Sequence, residues 1–313
     1  MAGGTFSPAS TRAGRIDYWV VGKDLAVHVP YGDSAAAGAS FHVAWDPGRA
    51  VIYAPTPAGT TYVVDPVAGN ATGSFPTIPG GRLAAFDLDN DLVLVLSGDS
   101  LAAYHAANHQ LLFADAVGGN AVVVDRGNDR VFVGGNADSV ITQVDLSAGA
   151  VVRTFPVARS GDLVLANGRL FSADMKTGVV SSFDPDSGQI TRTATDEVDP
   201  DFHYDAIPRA KAGFMQLATG PAGDTVYAAG FSGRITAFDA ATGAQTRTIA
   251  LNGRGRDEGP LKLSGLVILP DGRAFTTAEN RQASFLVDLA SGDIIRSMDS
   301  VHSNRWVLLD PAP

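Results

Sequence analysis

The segment Asp199-Pro200-Asp201-Phe202-His203-Tyr204-Asp205 carries the densest chemistry in the chain. In an extended backbone successive side chains alternate, so Asp199, Asp201, His203 and Asp205 fall on one side. Three carboxylates and an imidazole suit a divalent cation, and Asp257 and Glu258 can add oxygens. A solvated acidic loop has the same composition, so the cation stands beside that plainer reading. A second set suits acid–base work. An imidazole exchanges protons near neutral pH, and a guanidinium can hold an anionic intermediate. His203, His302, Arg209, Arg281 and Tyr204 are the catalytic candidates of this kind. His42, Gln216, Arg305 and Lys176 are the ligand-binding candidates. The competing role for all of these is hydrogen bonding to loop backbone at a wet rim.

Other patterns carry less. His105 and His109 have the i, i+4 spacing of a metal pair, but that spacing joins side chains on a helix and not across a hairpin turn. The run Asp87-Leu88-Asp89-Asn90-Asp91 resembles a calcium loop without the later Gly and bidentate Glu. Asp184–Gly188 is a turn of the same kind. Trp19, Trp45 and Trp306 lie in apolar runs and read as packing residues. No Gly-rich phosphate loop precedes a helix, and no nucleophile elbow is present. Asn70-Ala71-Thr72 is a glycosylation sequon by pattern only.

A repeat of about 40 residues must position these groups. Its clearest copy is Val226–Leu251, and weaker copies span Val51–Pro76, Val131–Val157, Leu170–Thr195 and Ala274–Met298. Each holds apolar runs, a run ending in Asp, and a Gly four residues later: Asp65/Gly69, Asp145/Gly149, Asp184/Gly188, Asp239/Gly243 and Asp288/Gly292. Asp caps such a turn and Gly supplies its positive φ. A strand repeat of this length means a β-propeller. Six four-stranded units fit at about 41–77, 81–117, 119–158, 160–196, 213–251 and 263–299. Residues 304–310 supply one further innermost strand, and residues 15–30 supply two more strands. The expectation is an all-β, seven-bladed propeller whose last blade is closed by N- and C-terminal strands, with residues 1–14 as a flexible tail.

The repeat resembles the YVTN-type propellers, relatives of surface-layer and quinoprotein amine dehydrogenase β-chain propellers. Val226-Tyr227-Ala228-Ala229, Ala237-Phe238-Asp239, Thr242-Gly243 and Thr248-Ile249 carry the resemblance. Ile52-Tyr53-Ala54 and Val63-Val64-Asp65 repeat it, and Leu269-Pro270-Asp271-Gly272 keeps part of the family's Ser-Pro-Asp-Gly turn. It covers nearly the whole chain, but its motifs are structural. The group it implies includes binding proteins, redox-enzyme subunits, and relatives of lactonases and lyases.

Composition narrows the classes. The 313 residues carry a net charge of −10 and no Lys/Arg run, which argues against a nucleic-acid surface. No apolar stretch is long enough to span a bilayer as a helix. The absence of cysteine excludes disulfides and thiolate chemistry. Mean hydropathy of +0.08 permits a large core. The first 15 residues lack the apolar centre of a signal peptide. The absence of cysteine and the resemblance nevertheless suggest a periplasmic or secreted protein whose signal has been removed, and a monomer is expected.

Loop length indicates the working end. The inter-blade segments 197–212 and 252–262 are long and rich in polar residues, whereas the connection 31–40 is also long but made of small residues, and long loops often carry function. The favoured reading is a propeller binding a small ligand or a partner protein there. The alternative is a lyase, lactonase or isomerase, cofactor-independent or metal-assisted, with His/Arg chemistry at the same end. A weaker alternative is a non-catalytic subunit of a periplasmic redox complex.

Overall fold

The computed structural model describes residues 7–12, 14–21, 25–32, 40–135, 140–157, 160–174, 177–195, 213–251, 261–281, 283–299 and 305–310. The fold is an all-β propeller. The first three strands are β1 (Ser7–Arg12), β2 (Arg15–Val20) and β3 (Leu25–Pro30). One blade follows in β4 (Ala44–Asp46), β5 (Val51–Thr56), β6 (Thr60–Asp65) and β7 (Asn70–Pro76). The next two are β8 (Leu83–Asp87), β9 (Leu92–Leu96), β10 (Leu101–His105) and β11 (Leu111–Asp115), then β12 (Ala121–Asp125), β13 (Arg130–Gly134), β14 (Val140–Asp145) and β15 (Ala150–Pro156). After these come β16 (Asp162–Ala166), β17 (Arg169–Ala173), β18 (Val179–Phe183) and β19 (Ile190–Ala194). The last two consecutive blades are β20 (Phe214–Thr219), β21 (Thr225–Gly230), β22 (Arg234–Asp239) and β23 (Gln245–Ala250), and β24 (Leu263–Ile268), β25 (Arg273–Ala278), β26 (Ala283–Asp288) and β27 (Ile294–Asp299). β28 (Val307–Leu309) ends the series.

Six blades, not the expected seven, are runs of four consecutive strands. The remaining four-stranded sheet is a composite with the order β28-β1-β2-β3. Its N-terminal share differs from expectation. Residues 7–12, assigned to a flexible tail, form β1, which pairs with β2 at Ala9↔Tyr18 and with β28 at Ala9↔Val307. The small and polar run Ser7–Arg12 has no apolar alternation to announce a strand. Its place is set by backbone pairing on both sides, which satisfies groups that periodicity does not record.

The repeated turns form for the reason their residues suggest. Asp65 Oδ1 accepts from the Val67 and Ala68 N–H at 2.8 and 2.9 Å. Asp145, Asp184, Asp239 and Asp288 accept in the same way from the two residues at +2 and +3. The Gly four residues on donates its N–H back to each Asp carbonyl at 2.8–3.0 Å. Gly69, Gly149, Gly188, Gly243 and Gly292 all have positive φ, which glycine adopts without a Cβ penalty. Three other hairpin turns share a different left-handed residue: Ala50, Asp91 and Asp129 each sit four residues after an Asp that ends an innermost strand.

The chain divides into two compact units. Unit 1 is Met1–Val133, Thr142–Thr154 and Trp306–Pro313; unit 2 is Gly134–Ile141 and Phe155–Arg305. In unit 1, Ile16, Tyr18, Val20 and Leu309 of the composite sheet share a buried cluster with Trp45 and Ile52. The Tyr18 hydroxyl donates to the Pro66 carbonyl at 2.8 Å, and Trp45 Nε1 donates to the Asp310 carbonyl at 3.3 Å. In unit 2, Phe171, Phe214 and Phe238 bring two blades into one cluster, and Ile235, Leu266 and Phe285 bring in the third. Middle strands such as β9 are buried at every residue, whereas the outer β7 alternates around mostly exposed positions. Among the described residues no helix is long and apolar enough to cross a membrane.

Candidate functional site

The polar groups best placed for chemistry in unit 2 lie where its innermost strands begin. Asp162 opens β16, and its side chain is 8% exposed. Arg305, 11% exposed, donates from Nη1 to Asp162 Oδ1 at 2.5 Å and from Nη2 to the Gly161 carbonyl. The Leu217 N–H of β20 donates to Asp162 Oδ2 at 2.8 Å. Both carboxylate oxygens are therefore engaged. Burial pushes the Asp162 carboxyl upward, and the Arg305 charge pulls it back. Such a group acts as a joint and not as a free base.

Gln216 extends the same arrangement. It is buried on β20, and its Oε1 accepts the Leu266 N–H of β24 at 2.7 Å. Thus Asp162 reaches from β16 to β20, and Gln216 from β20 to β24. Within unit 1 the backbone does this work directly: His42 and Leu83 form a parallel bridge, with His42 N–H to the Arg82 carbonyl at 3.1 Å and Ala84 N–H to the His42 carbonyl at 3.0 Å. A carboxylate or amide oxygen in unit 2 replaces a carbonyl that unit 1 supplies from the main chain.

Smaller polar groups surround the joint. Ser172 Oγ donates to Ser160 Oγ at 3.0 Å, with both residues buried. The Asp174 carboxylate accepts from Thr177 Oγ1 at 2.6 Å. Gly213, which leads into β20, packs so closely that a Cβ would lie 2.8 Å from the Gly178 N and 3.0 Å from the Asp174 carbonyl. That contact fixes where the chain re-enters the blade after the 197–212 segment. Asn280 Oδ1 accepts the Lys262 N–H at 2.9 Å, tying a loop to the connection before β24. The Ser264 hydroxyl is buried without a hydrogen-bond partner among the described residues.

Of the residues expected from sequence, Gln216 and Arg305 are brought into one chain of hydrogen bonds through Asp162 and β20. Arg281 ends a 3-10 turn at Glu279–Arg281 between β25 and β26 and is half-buried. His42 lies in unit 1, half-buried. Asp199, Asp201, His203, Tyr204, Asp205, Arg209, Lys176, Asp257, Glu258 and His302 lie outside the described residues. Asp162, Ser160 and Asn280 went unrecognised. Aligning strand starts would have exposed Asp162, because Leu83 and Ala121 hold the matching place in β8 and β12.

The motifs on the hairpin turns are occupied locally. In unit 1, Arg49 forms a two-pronged pair with Asp91 at 2.6 and 2.7 Å and also donates to the buried Asp46 at 2.8 Å. Asn90 Nδ2 donates to Asp87 and to Asp129, and the Gly127 N–H donates to Asp89. The Asp87–Asp91 carboxylates thus link consecutive turns. His109 lies flat on Phe75 at 4.2 Å with positive φ, and burial lowers its basicity. Among the described residues no group of three His or acidic side chains is arranged to hold a metal ion.

No protein-family model matches the chain, and no curated protein sequence matches it. Solved structures do. The chain is similar to the hydrazine synthase of Kuenenia stuttgartiensis, with a TM-score of 0.67 at 13% identity, over 81% of this chain and 77% of that one. It is also similar to U3-55K, with a TM-score of 0.68 at 12% identity, over 85% and 84% of the two chains. At these identities the likeness establishes the propeller fold alone.

Proposed function

We propose that the chain is an exported binding propeller that holds a small ligand or a partner protein at the end of unit 2 where β16, β20 and β24 begin. In this reading the composite sheet serves as the closing seventh blade of a YVTN-type ring, and the segments 197–212 and 252–262 supply the recognition surface. Its specificity residues in the same reading are His203, Tyr204, Arg209, His302, Lys176 and Arg281.

The observation that supports binding over turnover is the use made of Asp162, Arg305 and Gln216. Asp162 is held by the Leu217 N–H and by Arg305, and Gln216 by the Leu266 N–H, so these buried polar groups stiffen the start of β16, β20 and β24. A rigid platform lowers the entropic cost of capturing a ligand. The test is a thermal-shift screen of the full chain against small carboxylates, sugars and short peptides, repeated with His203→Ala and His302→Ala. A saturable rise in Tm that both substitutions abolish supports the reading, because only a ligand of the folded state raises apparent stability. Turnover of a ligand that stops with His203→Ala would replace it with the enzyme. A shift retained in both variants would remove these residues from the site.

A further inference from the structure

Asp17 and His28 face each other across β2 and β3 of the composite sheet, as direct partners in its register, and both belong to unit 1. The Asp17 side chain is 1% exposed, whereas the His28 ring is 50% exposed. His28 Nδ1 is hydrogen-bonded to Asp17 Oδ1. Arg15 Nε lies 2.9 Å from Asp17 Oδ1 and 3.0 Å from Oδ2. The Arg15 guanidinium compensates the charge of the carboxylate, and an ionised carboxylate only accepts hydrogen bonds. The proton of the imidazole therefore sits on Nδ1, and Nε2, on the far side of the ring, keeps its lone pair.

The scaffold does not require this pair. Asp17 is the third residue of the third strand of its sheet. The same place in β6, β10, β18, β22 and β26 holds Tyr62, Ala103, Ser181, Thr236 and Phe285, none of them an acid. Their partners on the outer strands include no imidazole. A carboxylate taken out of water is expensive unless it is paired, and Arg15 alone supplies the opposite charge. His28 adds something else: an imidazole fixed in tautomer and orientation by a buried acid, with half its surface in water. That arrangement prepares a histidine to give its lone pair to an electrophile.

We propose that His28 and Asp17 form a nucleophilic dyad that hydrolyses activated acyl groups, the class of esters and thioesters. His28 is the catalytic residue, and Asp17 is the positioning residue behind it. The Nε2 lone pair adds to the carbonyl carbon, and the bond from that carbon to the leaving oxygen or sulfur breaks, its electron pair departing with the leaving group. The acyl-imidazolium so formed carries one positive charge, which the Asp17 carboxylate offsets through the Nδ1–H. Water then adds to the same carbon, the carbon–nitrogen bond breaks, and its electron pair returns to Nε2. The acid product keeps the oxygen of the water, and one proton of that water passes through solvent to the departed alcohol or thiol.

Release of p-nitrophenolate from p-nitrophenyl acetate by the full chain, at about pH 8 where imidazole is neutral, tests this. His28→Gln and Asp17→Asn should each slow it about tenfold or more, while His105→Gln, which removes a half-buried imidazole at the end of β10, should leave it within about twofold. Asp17→Asn presents an amide N–H to the ring and moves the proton to Nε2. Nitrogen-15 NMR of the His28 ring reads that exchange of tautomers, which a purely structural pair would not link to the rate. An unchanged Tm shows that each variant is folded. Should Asp17→Asn not fold, the wild-type chain still decides: diethyl pyrocarbonate, mapped by mass spectrometry, should modify His28 about tenfold faster in the folded chain than in the urea-unfolded chain. Ester hydrolysis unchanged by His28→Gln, a full rate in folded Asp17→Asn, or His28 no more reactive folded than unfolded would each overturn the dyad.

Discussion

Arg305 and Asp162, 143 residues apart, form a buried ion pair at 2.5 Å at the start of β16. Removing one partner of such a pair strands the other charge away from water. Asp162→Ala, which also leaves the Leu217 N–H without its acceptor, should cost about 3–5 kcal/mol in urea unfolding. The double variant Asp162→Leu/Arg305→Met should lose clearly less than the sum of the single changes. Strict additivity would show that the pair is solvated.

The turn carboxylates predict an acid limb of stability. Side-chain hydrogen bonds from Ser147 and Thr242 and the backbone N–H groups of Ser187 and Asp186 hold Asp145, Asp239 and Asp184, in that order, below the usual carboxylate range. The unfolded chain then binds protons first as pH falls through about 3.9, so these groups favour folding above that pH and lose their contribution below it. The triple variant Asp145→Asn/Asp184→Asn/Asp239→Asn keeps the caps and removes the titration. Its Tm should fall less steeply than that of wild type between about pH 4 and 2.5. Equal slopes would sink the assignment.

Two turn glycines should behave differently although their φ values are similar. At Gly69 a Cβ meets nothing within 4 Å, so Gly69→Ala should cost only the left-handed penalty, about 1 kcal/mol. At Gly149 the same Cβ runs into the Phe113 ring, and Gly149→Ala should cost about 1–3 kcal/mol more. Thermal or urea unfolding separates the two, and equal losses would mean that the β11–β15 approach is loose.

The Ser264 hydroxyl offers a stabilising change. It is fully buried and unpartnered among the described residues, so its desolvation is uncompensated. Ser264→Ala should raise stability by about 1 kcal/mol. A loss of that size would instead identify a partner for the hydroxyl.

What the sequence revealed follows the range of the interactions. Asp65 to Gly69 and its four repeats were legible because the capping bonds lie within four residues. β1 was missed because Ser7–Arg12 has no pattern of its own and its partners come from both ends of the chain. Asp162 was missed because its meaning depends on Leu217 and Arg305, at separations of 55 and 143 residues. Gln216 and Arg305 were found by their place at strand starts, but as ligand contacts. Their bonds to other strands emerged only from the fold.

The composite sheet has a consequence for folding order. β1 pairs with β2 a few residues on and with β28 from the far side of all six other sheets, so one of its edges is unsatisfied until Val307–Leu309 dock. That pairing closes the longest loop of any strand pair in the fold, which makes it the entropically costliest contact to form and a late step in folding.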